Sequence, residues 1–324
     1  MGRASIADPE LPNKVREGRT EEILPCIGCW QGCQGKIAQQ EPVSCLINPR
    51  TGKEEKYAIN KADHVRKVMV IGGGPVGMEA AIVAAKRGHE VSLFEKTERL
   101  GGQWLLAAVP PGKEQYNAFT VWQKQKLDRN GVRVVLRTEV TPELVAKECP
   151  DVIIYAAGGV PVIPRIPGYD RKHVYTANDI LMGRADLKGD AVVIGGGLVG
   201  AETAEHIAVH NHRTTIVEML PEIAAEMAAA PKDFLMQSLE RNHVTLCPDT
   251  KVLEITDSAV VVEHNGQKRE IPADMVILAI GSRPEKELAE KLGTKIPITV
   301  VGDADKVGKA LDGIDAAYRA ALKL

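Results

Sequence analysis

Four cysteines lie close together near the start of the sequence. They follow the pattern C-x2-C-x3-C-x11-C at Cys26, Cys29, Cys33 and Cys45. Such short gaps let the chain bend around one inorganic centre, and four thiolates are the usual ligands of a 4Fe-4S cluster. Structural zinc is an alternative, although zinc sites more often use two separated C-x2-C pairs, and a disulfide framework is typical of short secreted chains. We therefore predict a 4Fe-4S cluster on these residues.

A glycine-rich turn follows an apolar segment further along the chain. It reads Gly72-x-Gly74-x-x-Gly77, and Glu95 comes 23 residues after its first glycine. In a strand–turn–helix unit, the first glycine permits the tight turn and the second lets a pyrophosphate approach the helix N-terminus. The third lets the helix pack on the strand, and the acid accepts hydrogen bonds from ribose hydroxyls. The pattern indicates a dinucleotide site.

The same motif occurs a second time. Gly195-x-Gly197-x-x-Gly200 is followed by Glu218 with identical spacing. A single turn of this kind is weak evidence, because glycines also serve simple helix–strand packing. Two copies in one register, each with an acid at the end of the next predicted strand, favour two dinucleotide sites.

The residues that flank each motif suggest which dinucleotide binds where. Arg99 and Gly102 follow the first acid, and Asp303 in the tail could bind a ribityl chain, so we assign FAD to the first copy. The segment after Glu218 reads MLPEIAAEM and offers no Arg or Lys for a 2′-phosphate, which favours NADH over NADPH. Its acids Glu222 and Glu226 fit a solvated helix face equally well.

The candidate cofactor-binding residues form two groups. The first comprises Gly72, Gly74, Pro75, Gly77, Glu95, Arg99, Gly102, Gln103, Val140, Ala157, Gly158 and Asp303, and the second comprises Gly195, Gly197, Gly200, Glu218 and Gly281. We predict no acid–base catalytic residue, because the chemistry belongs to the cofactors. Neither nucleotide domain has a C-x2-C or C-x4-C pair, so electrons would not leave through a redox disulfide. Cys149 and Cys247 are expected to be ordinary, partly buried thiols.

Length and composition limit the class of protein. The chain has 324 residues, a formal net charge of −2 and 44% hydrophobic residues, which suits about two domains and argues against nucleic acid as a partner. No apolar run approaches the roughly 18 residues of a membrane span, and the start has no apolar core of a signal peptide. We expect a soluble cytoplasmic protein without a membrane partner.

An internal repeat organises the elements that must position these residues. VIGGGPVGMEAA from Val70 recurs as VIGGGLVGAETA from Val193, and each copy predicts a βαβ unit. A strand ending near Val140 is expected in the first copy. The tail has no partner in the second copy, so we expect it to complete the first.

The predicted fold class is α/β. Two Rossmann-like dinucleotide-binding domains, the second inserted in the first, follow an irregular segment of loops and short helices. The predicted boundaries are 1–65 for the leader with the cluster segment, 66–165 and 288–324 for the FAD domain, and 166–287 for the NAD(H) domain.

These motifs resemble one known group over the whole chain: the iron–sulfur members of the old yellow enzyme family, which include bacterial 2,4-dienoyl-CoA reductase, 2-enoate reductases and trimethylamine dehydrogenase. The most specific elements are CIGCWQGC and SCLINPR, and GGGPVG, LGGQ and the final VVGDA match in order. In that group an FMN-binding (β/α)8 barrel precedes this region and reduces the substrate. The resemblance implies that Gly2 and Arg3 are a remnant of the FMN phosphate contact, and that the barrel is missing here.

The resemblance implies a function as the electron-input half of such an enzyme. Electrons would pass from NADH through FAD and the cluster to an FMN barrel that reduces an enoate or an enoyl- or dienoyl-CoA. This module would be either severed from its barrel or served by a barrel supplied in trans. Two alternatives stay open: a self-standing NADH dehydrogenase or diaphorase that reduces a quinone or a carrier protein, and a non-catalytic assembly subunit. Trp30, inside the cysteine cluster, is expected either to shield the cluster or simply to pack.

Overall fold

The computed structural model of the chain describes residues 1–292 and 296–324, so three residues of the predicted FAD domain lie outside the described ranges. The chain divides into two compact units. The first unit comprises Met1–Ala108, Gln115–Val160 and Arg283–Leu324, and the second unit comprises Val109–Glu114 and Pro161–Ser282. Among the described residues, none of the helices has the combination of length and hydrophobicity that a bilayer crossing requires.

The leader is largely irregular and packs within the first unit. Its helices are α1 (Gly2–Ala7), α2 (Leu11–Arg16) and α3 (Gln34–Ala38). Asp8, only 4% exposed, holds the leader together, because its carboxylate accepts from the Leu24 N–H over 2.8 Å and from the Lys14 ammonium over 2.6 Å. The buried Leu46 packs in the same hydrophobic cluster as Phe119, which joins the leader to the rest of its unit.

The first dinucleotide fold follows. Its elements are β1 (Lys67–Ile71), α4 (Pro75–Lys86), β2 (Glu90–Phe94), α5 (Trp104–Ala107), α6 (Tyr116–Arg129), β3 (Arg133–Val135), α7 (Pro142–Glu148), β4 (Val152–Tyr155) and β5 (Gly159–Pro161). The strands β1 and β4 are almost wholly buried, as expected for a parallel sheet covered on both faces. The prediction of a strand ending near Val140 is wrong. β3 ends at Val135 because Arg137 adopts a left-handed backbone (φ 53°), and Val140 lies in the buried loop before α7.

The second unit holds the other dinucleotide fold and an antiparallel sheet. Its elements run in order β6 (Val174–Thr176), α8 (Ala177–Leu181), β7 (Ala191–Ile194), α9 (Leu198–Val209), β8 (Thr214–Val217), α10 (Ala229–Arg241), β9 (Thr245–Cys247), β10 (Thr250–Ile255), β11 (Ala259–His264), β12 (Gln267–Pro272) and β13 (Met275–Leu278). The parallel sheet has the strand order β6-β13-β7-β8-β9, and β10-β11-β12 form the antiparallel sheet. Where the chain passes back into the first unit, β14 (Ser282–Pro284) pairs with β5, which lies where the chain leaves that unit.

The tail returns to the first sheet. It contains α11 (Glu287–Leu292), β15 (Ile298–Val300) and α12 (Ala310–Leu322). β15 pairs in parallel with β4, with Ile298 opposite Ile153, which gives the order β15-β4-β1-β2-β3. α12 packs on α4, and Tyr318 donates to the Tyr57 carbonyl over 3.0 Å. The tail therefore completes the first fold, and the second is inserted in it, as the repeat predicts.

Candidate functional site

The first glycine turn connects β1 to α4 and has an open face. Gly72 has φ 108°, and a side chain there would overlap the Ala156 carbonyl oxygen at the end of β4. A side chain at Gly77 would overlap the carbonyl oxygen of Gly72 itself. A Cβ at Gly74, by contrast, would meet nothing within 4 Å. The outer two glycines are therefore needed for folding, whereas the middle one leaves room for a phosphate at the N-terminus of α4.

Glu95 closes the first turn at the end of β2. Its Oε2 accepts from the Gly73 N–H over 2.7 Å and its Oε1 from the Thr97 N–H over 2.8 Å. The residue is 7% exposed. Since each carboxylate oxygen can accept more than one hydrogen bond, these contacts orient Glu95 and leave capacity for ribose hydroxyls.

The second glycine turn repeats this arrangement between β7 and α9. Gly195 has φ 105°, and a Cβ there would lie 2.6 Å from the Ala279 carbonyl oxygen. A side chain at Gly200 would overlap the carbonyl oxygen of Gly195, and Gly197 again faces open space. Glu218 occupies the position of Glu95 at the end of β8. The second unit therefore presents a second open cradle at a helix N-terminus.

Further candidate residues of the first group gather around the first turn. The Gly101 N–H donates to the Gly73 carbonyl over 2.8 Å, and a Cβ at Gly102 would lie 3.2 Å from the Cα of Gly74. Gln103 donates from Nε2 to the Gly159 carbonyl over 2.7 Å. The LGGQ segment thus joins the glycine turn to the chain after β4.

The other candidates Asp303, Val140 and Arg99 differ in their surroundings. Burial raises the pKa of the Asp303 carboxyl, and a hydrogen bond from the Gly308 N–H over 3.1 Å acts in the opposite direction. Val140 is a buried core residue, whereas the side chain of Arg99 is exposed beside the turn.

One cation near the second site was not predicted from the sequence. Lys232 on α10 pairs with Glu222 and is 17% exposed. It lies 14 residues after Glu218, beyond the segment in which a phosphate-binding Arg or Lys would be sought. Only the folded structure places Lys232 there, because its ion pair with Glu222 joins α10 to the loop after β8.

The four clustered cysteines surround one cavity, the cysteine cavity. It is lined by the loop from Cys26 to Cys33 and by Cys45, together with side chains of α1. Gly32 lets the chain around Ser44 lie close to the cysteine loop. Its carbonyl accepts from the Ser44 N–H over 2.7 Å, and a Cβ at Gly32 would lie only 2.6 Å from the Ser44 carbonyl oxygen. That contact brings the third and fourth cysteines of the pattern to the same cavity.

The environment of the thiols suits a positively charged centre. Burial, with a smaller contribution from the neighbouring cysteines, raises the pKa of the Cys29 thiol to about 11, and a hydrogen bond from the Gln31 backbone N–H opposes the shift. Burial likewise raises the pKa of the Cys45 thiol. The backbone N–H groups of Ile47 and Asn48 donate to its sulfur and oppose this shift. Such N–H donors are typical around iron–sulfur clusters. Within residues 1–292 and 296–324, no three His, Cys, Asp or Glu side chains converge to hold a single metal ion.

The two isolated cysteines are not equally buried, contrary to prediction. Cys149 is exposed, and it ends α7 in a left-handed conformation with φ 47°. Cys247 is buried at the end of β9, and the Arg269 guanidinium lies 3.1 Å from its sulfur. Both lie in elements other than those that line the cysteine cavity.

Comparison with known proteins gives a family and several long relatives. The profile of the family described as "Pyridine nucleotide-disulphide oxidoreductase" matches residues 66–305. The chain is 41% identical over 333 residues to an NADH oxidase of Thermoanaerobacter brockii, covering 100% of this chain and 51% of that protein. It is 36% identical over 325 residues to a cinnamate reductase of Clostridium sporogenes, covering 99% of this chain and 49% of that protein.

A solved structure of 2-naphthoyl-CoA reductase with 2-naphthoyl-CoA superimposes with a TM-score of 0.96 at 34% identity, covering 99% of this chain and 50% of that one. The chain therefore spans about half the length of the relatives it matches.

Proposed function

The chain belongs to the pyridine nucleotide-disulphide oxidoreductase family, and we propose that it is the electron-input module of a flavin and iron–sulfur reductase. As a family member it is an NAD(P)H-dependent oxidoreductase. The proposed route runs from NADH through FAD and a 4Fe-4S cluster to an FMN-binding barrel. The observation that carries the proposal is that a chain with two open dinucleotide cradles also gathers four cysteines around one cavity.

The two cradles would divide the nucleotides between them. Gly74 and the N-terminus of α4 would hold the FAD pyrophosphate, and Glu95 would accept from its ribose. Gly197 and Glu218 would do the same for NADH in the second unit. Bound FAD would supply the step that a cluster cannot, because a nicotinamide delivers two electrons together whereas a cluster accepts one at a time.

The cysteine cavity supports the cluster more than the zinc alternative. Cys26, Cys29, Cys33 and Cys45 line a space between them, whereas a zinc ion would need sulfurs about 2.3 Å from one point. N–H groups already donate to Cys29 and Cys45, and such donors stabilise thiolate ligands.

The terminal acceptor is inferred from the length and names of the relatives. They are about twice as long as this chain, and two are named as reductases of cinnamate and of 2-naphthoyl-CoA. An FMN barrel, covalently linked or supplied as a separate subunit, would accept the electrons and reduce an enoate or an enoyl- or dienoyl-CoA. A second candidate function, an NADH dehydrogenase or diaphorase that needs no barrel, is favoured by the relative named NADH oxidase.

An anaerobic titration with NADH tests the proposal. The protein is reconstituted with FAD, iron and sulfide, and visible absorption and EPR are recorded as NADH is added. We expect rapid bleaching of the flavin, followed by the EPR signal of a reduced cluster. Flavin bleaching without a cluster signal in an iron-loaded sample would contradict the electron-input role. If the same sample reduced a quinone at full rate, the diaphorase function would be favoured. Absence of flavin bleaching would indicate a non-catalytic subunit.

A further inference from the structure

Arg3 and Trp30 lie together at the wall of the cysteine cavity. The Cζ of Arg3 lies 5.5 Å from the centroid of the Trp30 ring, over its face, which is the geometry of a cation–π contact. Both residues line the cavity with all four cysteines. The contact joins α1 to the loop between Cys29 and Cys33, two segments that the sequence separates by more than twenty residues.

The backbone fixes the direction of the indole. Trp30 has φ 60°, in the left-handed region that bulky residues rarely adopt. Its carbonyl accepts from the Gly35 N–H over 2.8 Å, which closes the loop onto α3. A large side chain persists in such a conformation only where the surrounding structure holds it, and such positions cluster at functional sites. The loop therefore presents Trp30 as a fixed platform for Arg3.

Arg3 is also the charged side chain of this wall. Apart from the cysteines and Trp30, the described side chains that line the cavity are aliphatic, namely Ile6, Ile27, Leu46 and Ile47. Among the described residues, no carboxylate forms an ion pair with Arg3. No neighbouring carboxylate of the described residues therefore cancels its positive charge, and this charge, exposed to solvent, lies at the wall of the cavity that the four cysteines line.

We propose that Arg3, positioned by Trp30, raises the reduction potential of the cluster held in the cysteine cavity. The inference rests on the proposed function. When the cluster accepts one electron its negative charge increases by one, so a nearby cation stabilises the reduced form more than the oxidised form. Arg3 acts through its charge, and Trp30 is a positioning residue that acts through Arg3. This role differs from the FMN phosphate contact that the resemblance implies for Gly2 and Arg3.

A redox titration of the cluster-loaded full chain tests the proposal. The cluster is reduced with dithionite through mediators, and its midpoint potential is read from the EPR signal. The variants are Arg3→Gln, Arg3→Lys, Trp30→Asn and the double variant Arg3→Gln/Trp30→Asn. Asn tolerates a left-handed backbone, so Trp30→Asn removes the aromatic face without adding strain. Arg16→Gln, an exposed arginine on α2, is the control.

We expect Arg3→Gln to lower the midpoint potential, Arg3→Lys to keep more of the original value, and Arg16→Gln to leave it unchanged. Trp30→Asn should also lower it, and the double variant should match Arg3→Gln alone, because Trp30 acts through Arg3. An unchanged potential in Arg3→Gln would overturn the inference, as would shifts that simply add in the double variant. If Trp30→Asn holds no iron, Trp30→Phe replaces it and should keep the potential near the original.

Iron and labile sulfide are measured in every sample. A reconstituted unmodified chain without iron would contradict the proposed function itself. Full iron with an Arg3-independent potential would contradict only this inference.

Discussion

The carboxylate of Glu218 accepts a hydrogen bond from the backbone N–H of Gly196 over 2.6 Å. Its other oxygen accepts from the Leu220 N–H over 2.8 Å, and Glu95 makes the equivalent pair of contacts in the first unit. The negative charge is therefore fixed beside the second glycine turn rather than free to turn into solvent. A fixed carboxylate at the ribose position can accept from a 2′-hydroxyl and repels a 2′-phosphate.

The first prediction concerns this cofactor preference. Glu218→Ser combined with Met219→Arg should raise the ratio of kcat/KM for NADPH over that for NADH by about tenfold or more, or about 1.4 kcal/mol. Met219 is 70% exposed, so the arginine can be accommodated. Glu240→Gln, which changes an exposed acid on α10, is the control and should change the ratio little. An unmodified protein that already uses NADPH better than NADH would disprove the assignment.

The two middle glycines provide a matched pair of variants. Gly74 and Gly197 face open space, and both have backbone angles that any residue adopts. Alanine should therefore fold at either position, but its methyl group would occupy the space where a pyrophosphate approaches the backbone. We expect Gly74→Ala to lower the FAD content after purification and Gly197→Ala to raise the KM for NADH with FAD retained. The same defect in both variants would contradict the division of the two sites.

The cysteine assignment predicts metal content. The chain should hold about four iron atoms and four sulfides, and Cys26→Ser, Cys29→Ser, Cys33→Ser or Cys45→Ser should each reduce the iron content severely. Cys149→Ser and Cys247→Ser serve as controls and should keep it. Elemental analysis and a labile-sulfide assay decide the matter, and one zinc atom without sulfide would favour the alternative.

Sequence and structure agree where local pattern determines the outcome. The repeated glycine turns and apolar strands predicted two Rossmann-like folds, and the unpaired tail predicted that β15 joins the first sheet, which its pairing with β4 confirms. The resemblance to the iron–sulfur old yellow enzyme group is confirmed by relatives that match the whole chain. The contact of Lys232 with Glu222 and that of Arg3 with Trp30 were not predicted, because both depend on how distant segments pack.

The repeat also creates two glutamates with different surroundings. Glu202 on α9 pairs with Lys113, whereas Glu79 at the same position on α4 is buried and has Gln123 Nε2 at 3.4 Å. Burial raises the pKa of Glu79 to about 7, and Lys86 and Gln123 oppose the shift. One copy of the repeat thus holds its acid in an ion pair and the other holds it in the core.

This difference predicts a pH effect on stability. Because the folded-state pKa of Glu79 lies above its ordinary value of 4.5, the folded protein binds a proton more tightly than the unfolded chain. The free energy of unfolding should therefore fall as the pH rises from about 4.5 to 7, by at most about 3 kcal/mol from this group. Glu79→Gln should remove most of that slope and give a higher Tm at pH 8. Glu202→Gln is the control, which breaks an ion pair and should not raise the Tm. A Glu79→Gln protein with an unchanged pH slope would contradict the argument.

The last prediction concerns the division of labour. In the proposed function, electron input needs the two cradles and the cysteine cavity, and all three lie within these 324 residues. Substrate reduction in the group that the chain resembles needs FMN in a barrel. The purified 324-residue chain, loaded with FAD and cluster, should therefore oxidise NADH with ferricyanide and show no reduction of an enoyl-CoA.

Cys26→Ser should leave direct flavin oxidation by ferricyanide intact, since that acceptor can take electrons from FAD. Addition of a separately purified FMN barrel should restore enoyl reduction in the unmodified chain but not in Cys26→Ser, because only the barrel route requires the cluster. Enoyl-CoA reduction by the chain without barrel or FMN would show that the substrate site lies within these residues.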